Sequence, residues 1–140
     1  MKNGFSLIEL VVAILVVGIL TAIAIPSYTS YSHRVKRSDA VRTMTIDAQA
    51  LERCYSQSQA FTYTGCTQIT TPAPSAQGYY TVVVTVPPAG TSYTITATPA
   101  NPGPQTSDNT CQTFTLNNLG TQGALDNSSN NTTQTCWGST

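Results

Sequence analysis

Phe5 to Ile25 reads FSLIELVVAILVVGILTAIAI, and its one charged residue is Glu9. As a helix these residues span about 31 Å, against a hydrocarbon core of about 30 Å. The segment therefore reads as a single transmembrane helix. The ordinary alternative is a cleaved secretory signal, with a charged start, a shorter apolar run and a small-residue cut site. Ala22 and Ala24 imitate such a site. The long apolar run, the basic stretch at residues 33–37, and a helical pattern that continues past Pro26 favour retention.

Glu9 is the informative residue. A carboxylate near a membrane core costs roughly 2.5–3.5 kcal/mol on insertion scales and calls for a partner. It either reaches the headgroups at the interface or meets a positive charge. A cut after Gly4 would create that charge as an α-amino group on Phe5. Phe5 and Glu9 of one chain lie a helical turn apart, so they could pair within the chain or between neighbours.

The two parts of the chain differ in composition. Charged residues make up 9% of the chain, against a usual share of about 25%. All six basic residues lie at or before Arg53, and beyond Cys54 the only acids are Asp108 and Asp126. Affinity for nucleic acid rests largely on Lys and Arg neutralising phosphates, so a DNA-binding head is disfavoured. No Ser/His/Asp set, metal cluster or phosphate loop marks an enzyme, and no cofactor is implied. The two head acids are too few for a calcium loop. His33, the one histidine, reads as a solvated interfacial residue.

After Pro26 the apolar positions Tyr28, Tyr31, Val35, Val41, Met44, Ala48, Leu51 and Tyr55 recur at helical spacing. Arg34, Arg37, Arg42, Asp47 and Arg53 fall on the other face. One helix is expected from about Phe5 to Ser56, roughly 78 Å long. Gly18 and Pro26 are its expected bend points. At Pro26 a simple kink and a functional unwinding weigh equally.

The head reads as β-structure. Tyr79–Val86 and Tyr93–Thr98 alternate around a turn-rich link, which predicts an antiparallel hairpin. Thr113–Asn117 is a third strand, and a fourth is expected near Ala124-Leu125 after a turn at Gly120 and Gly123. The helix stripe covers the sheet. Pro99–Thr110 reads as a flexible connection. Asn127, Asn130 and Asn131 each begin an N-x-S/T triplet, which in such a tract arises by chance. Four cysteines, 54, 66, 111 and 136, allow three pairings. Cys54–Cys66 and Cys111–Cys136 each close a short local loop, and are preferred on that ground. By the chain-entropy model they would contribute roughly 3 and 3.5 kcal/mol.

Met-Lys-Asn-Gly followed by Phe-Ser-Leu-Ile-Glu-Leu resembles the prepilin motif of type IV pilins and pseudopilins. The likeness runs on through Gly18 and Ala22-Ile23-Ala24-Ile25-Pro26-Ser27-Tyr28. It implies cleavage between Gly4 and Phe5 by a prepilin peptidase, and N-methylation of Phe5. It also implies that Glu9 pairs with the N-terminus of an adjacent subunit. The partners implied are other pilin subunits, the membrane and an inner-membrane assembly platform. The precursor would sit in the inner membrane, head in the periplasm, before it joins an extracellular filament.

Later motifs resemble the PilE-like branch of the pilins. They are Leu51-Glu52-Arg53-Cys54-Tyr55, Tyr63-Thr64-Gly65-Cys66, and Cys111 with Leu116, Gly120 and Cys136-Trp137. That likeness supports the same cysteine pairing. The fold implied is α+β, a long helix on an antiparallel sheet of three or four strands with two disulfides. Its parts would be a leader (1–4), a membrane or filament-core half-helix (5–29), a head-packing half-helix (30–56) and a disulfide-closed head (57–140). The function implied is a minor or major structural subunit of a type IV pilus, supporting adhesion, twitching motility or DNA uptake. The alternatives are a type II secretion pseudopilin and a DNA- or surface-binding minor pilin.

Overall fold

The computed structural model describes residues 6–66, 69 and 71–138, with Pro26 described by its backbone alone. The chain forms two compact units that divide between His33 and Arg34. Helix α1, Leu7–Gln57, contributes to both and runs through Gly18 and Pro26 without a break.

In the first unit the large apolar side chains of α1 are exposed, from Leu7 at 80% to Ile25 at 65%. Nothing within this unit covers them. That is the state of a helix whose solvent is lipid or other helices.

The second unit holds the core. Five antiparallel strands follow one another in space as they do in sequence. They are β1 (Ala73–Pro74), β2 (Tyr80–Thr85), β3 (Thr94–Pro99), β4 (Thr113–Asn117) and β5 (Gln122–Leu125). Such a meander needs only short connections, so each strand pairs with its sequence neighbour. The hairpin register sets Val82 opposite Ala97 and Val84 opposite Ile95. Alternation then sends Tyr80, Val82, Ile95, Ala97, Phe114, Leu116 and Ala124 inward. Thr81, Thr96 and Thr115 fall on the outer face.

Across from the sheet, α1 buries Ala40, Met44 and Leu51, with Val41, Ala48 and Tyr55 packed at the margin. Three residues depart from the expected faces. Val35 is 51% exposed, because the buried stripe is centred on Ala40, Met44 and Leu51. Arg37, expected on the polar face, is instead largely buried, its side chain 11% exposed. Asp47, also assigned to the polar face, is half-buried. It lies seven residues from Ala40, two full turns, and so on the core side.

The sheet gains a strand over the sequence-based count. β1 is two residues long and pairs with Thr81 and Val82. A two-residue strand has no periodicity to detect. Gly123 lies within β5 rather than in the turn, where its missing Cβ leaves room for the Thr115 hydroxyl. The connection between β3 and β4 is packed rather than flexible. It contains a 3-10 turn, Pro104–Ser107, and buries Gln105 and Asp108. A short helix α2, Thr133–Trp137, closes the end of the polar tract.

Threonine hydroxyls cap backbone groups of the sheet at two places, on β5 and on the part of β2 beyond its pairing with β1. On β5, Ala124 N–H donates to Thr133 Oγ1 and its carbonyl accepts from Thr132 N–H, each at 2.9 Å. On β2, Val84 N–H donates to Thr71 Oγ1 at 2.8 Å. Such bonds occupy backbone groups that would otherwise be open to pairing with other chains.

Candidate assembly helix and the head it carries

The site begins with Glu9 on the first turn of α1. It is exposed, like the leucines and valines around it. Among the described residues its carboxylate has no hydrogen bond or ion pair. The stretch that carries it is long and apolar enough to cross a membrane. Gly4 and Phe5, the expected cleavage and methylation positions, lie outside the described residues. Gly18 has nothing within 4 Å of where a Cβ would stand.

The head is fastened to the second half of α1 by two polar clasps. The first is bidentate: Arg37 Nε donates to Asp108 Oδ2 at 2.7 Å and its Nη2 donates to Oδ1 at 2.8 Å. Asp108 is 3% exposed, and Thr110 N–H also donates to it. Gln105, fully buried, donates to the Tyr80 hydroxyl at 2.8 Å. Burial pushes the Tyr80 phenol up to about 12.

The second clasp is Asp39, buried at 6% exposure. Its carboxylate accepts from Ser75 Oγ at 2.5 Å, from Gln77 N–H at 3.0 Å and from Tyr79 N–H at 3.4 Å. One carboxylate thus satisfies several donors of the turn between β1 and β2. Sequence reading missed both clasps. A usable signal existed for the first: Asp108 is one of two acids in a long neutral stretch, and a buried acid needs a cation.

At the other end of the helix, Tyr63 stacks on Tyr55 at 4.6 Å and meets Tyr93 edge-on at 4.9 Å. Its hydroxyl donates to Glu52 at 3.0 Å. Burial first, and then that carboxylate, push the Tyr63 phenol up to about 12. The loop bearing Tyr63 is closed by Cys54–Cys66, and Cys111–Cys136 ties the segment just before β4 to α2. Trp137 packs on Phe114 at 6.0 Å and donates to the Gly123 carbonyl at 2.8 Å.

An exposed apolar helix with one acid in its first turn, carrying a bridged antiparallel head, defines a pilin-type subunit. Comparison with known proteins gives the particular family. The model of the type IV minor pilin ComP, DNA uptake sequence receptor, matches residues 26–115. The prokaryotic N-terminal methylation motif matches residues 1–25. The chain belongs to the type IV pilin family of pilus subunits.

Among similar proteins, the fimbrial protein EcpC of Eikenella corrodens is 34% identical over 73% of this chain and 65% of its own length. The type IV major pilin protein PilE1 of Neisseria gonorrhoeae is 33% identical over 61% of this chain and 40% of its own length. The matched stretch thus spans less than two thirds of either relative. A solved type IV pilin from Shewanella oneidensis superposes with a TM-score of 0.50 at 27% identity, covering 64% of this chain and 89% of that one.

Proposed function

We propose that this chain is a structural subunit of a type IV pilus. It would be cut between Gly4 and Phe5, methylated on the new Phe5 amine, and assembled through α1. The observation that carries this reading is the unpartnered Glu9 carboxylate within an exposed apolar helix, four residues after the position of that amine. A neighbour's amine would neutralise it and fix the axial step between subunits. Gly18 and Pro26 would be where α1 bends or unwinds as it leaves the bilayer. A prepilin peptidase and an inner-membrane platform would act on the precursor, whose head would lie in the periplasm.

The family description points to a minor subunit, whereas PilE1 is named a major one. Abundance in sheared filaments, measured by mass spectrometry, separates the two. Absence from filaments would favour a secretion pseudopilin. For the assembly mechanism, Glu9→Ala should stay cleaved in the membrane yet join filaments poorly. Normal incorporation would sink the charge-pairing step.

A second reading, a receptor for DNA, is favoured by the ComP match over residues 26–115. Charge counts against it. Residues 54–140 carry no Lys or Arg, and Arg37 is committed to Asp108. DNA retardation by the full chain in detergent at two salt concentrations tests it. Tight, salt-sensitive binding would promote this reading over a purely structural one.

A further inference from the structure

The two disulfides sit in different surroundings. Cys111 and Cys136 are 0% and 1% exposed, beside buried Trp137. Cys54 and Cys66 are only partly buried, Cys66 at the margin of the core. Thiol–disulfide exchange requires the incoming thiolate to reach a sulfur, so access governs which bridge opens.

What lies inside the more accessible bridge matters as much. The loop it closes holds Phe61 at φ +47°, a left-handed conformation that non-glycine residues seldom adopt. Phe61 is also 62% exposed. An exposed aromatic in an uncommon backbone state survives where the surroundings hold it. The loop has further ties. Tyr63 N–H and Thr62 Oγ1 both donate to the Gly90 carbonyl, at 2.8 and 3.1 Å. Ser58 Oγ accepts from Thr62 N–H at 3.0 Å. No sheet strand passes through the closed loop, and its buried Tyr63 is held by ring stacking and by Glu52.

We infer that Cys54–Cys66 is a redox-responsive closure on the loop presenting Phe61, while Cys111–Cys136 is a permanent staple of the head. The reductant class is a dithiol. One of its thiolates attacks a sulfur of the bridge and expels the other cysteine as thiolate. Its second thiol then attacks the mixed disulfide. The dithiol leaves oxidised, and its two electrons and two protons pass to Cys54 and Cys66. Opening releases the Phe61 end of the loop while the sheet, its core and the second bridge persist.

The full chain in detergent micelles is treated with dilute dithiothreitol, alkylated at intervals, and mapped by peptide mass spectrometry. Cys54 and Cys66 should be labelled at least about tenfold faster than Cys111 and Cys136. Chymotryptic cleavage after Phe61 should rise about fivefold or more in parallel, with far-UV circular dichroism unchanged. Equal labelling of all four cysteines would overturn the inference, as would loss of sheet signal together with the first bridge. The double variant Cys54→Ser/Cys66→Ser supplies a second check. It should fold, retain Cys111–Cys136 and show the same cleavage at Phe61. Failure to fold would show that the bridge is a staple and end the proposal.

Discussion

Arg37 and Asp108 are 71 residues apart in sequence and meet through two parallel hydrogen bonds of 2.7 and 2.8 Å. The guanidinium comes from a helix whose opposite face is solvated, and the carboxylate from the β3–β4 connection. The pair converts a Pro- and Gly-rich link into a packed element. Removing one member of a buried ion pair leaves the other charged and unpaired, which typically costs 3–5 kcal/mol. Arg37→Ala should therefore lower the thermal midpoint of the head by well over 10 °C, read by circular dichroism of the full chain in micelles. Arg37→Met with Asp108→Leu should recover much of the loss. If the single variant melts like the parent, the clasp contributes nothing.

Asp39 makes a parallel case with a different partner type. Asp39→Ala would strand the Ser75 hydroxyl and the Gln77 and Tyr79 amides. Hydrogen bonds to a charged group contribute about 1.5–3 kcal/mol each, not additively. A loss of roughly 2–4 kcal/mol is expected. Amide exchange should speed up first at residues 75–79, and unchanged protection there would refute the assignment.

Gly90 adopts φ +69°, and a Cβ there would run into the hydroxyls of Thr62 and Thr64. Gly90→Ala should cost about 1–3 kcal/mol through conformation alone. It should also loosen the Cys54–Cys66 loop, whose Tyr63 amide is bonded to the Gly90 carbonyl. The triple change Gly90→Ala with Thr62→Ala and Thr64→Ala should restore part of the stability by removing the clash. A Gly90→Ala chain as stable as the parent would contradict the backbone conformation.

Alkaline pH should destabilise the head in a defined window. Burial raises the Tyr63 and Tyr80 phenols to about 12 from an ordinary value near 10. The neutral phenol is the form the fold favours. Its contribution is therefore complete below pH 10 and is lost as pH climbs from 10 towards 12. Tyr80→Phe removes that titration, although it leaves Gln105 without its acceptor. It should flatten the pH dependence measured by urea titration between pH 10 and 12. An unchanged slope would mean that Tyr80 is not the group responsible.

Much of the architecture was legible because it rests on local periodicity. The i, i+3, i+4 recurrence after Pro26 located the helix, and strict alternation in Tyr93–Thr98 located β3 within a residue. Two of the departures share one cause. Polarity places Arg37 and the 99–110 segment at the surface, and polarity predicts exposure only where no partner awaits. Arg37 had a buried partner, and the 99–110 segment was packed under it. β1 and α2 were too short for any period to register.

For the candidate site the division is sharper. The sequence by itself determined the apolar run, its lone Glu9 and the absence of cations beyond Arg53, since composition and spacing suffice for those. It also favoured the cysteine pairing, because a short loop closes at lower entropic cost. Only the tertiary structure decided which acids are spent inside the head and which bridge is the less buried. Burial is a property of distant segments brought together, and no local pattern in the chain records it.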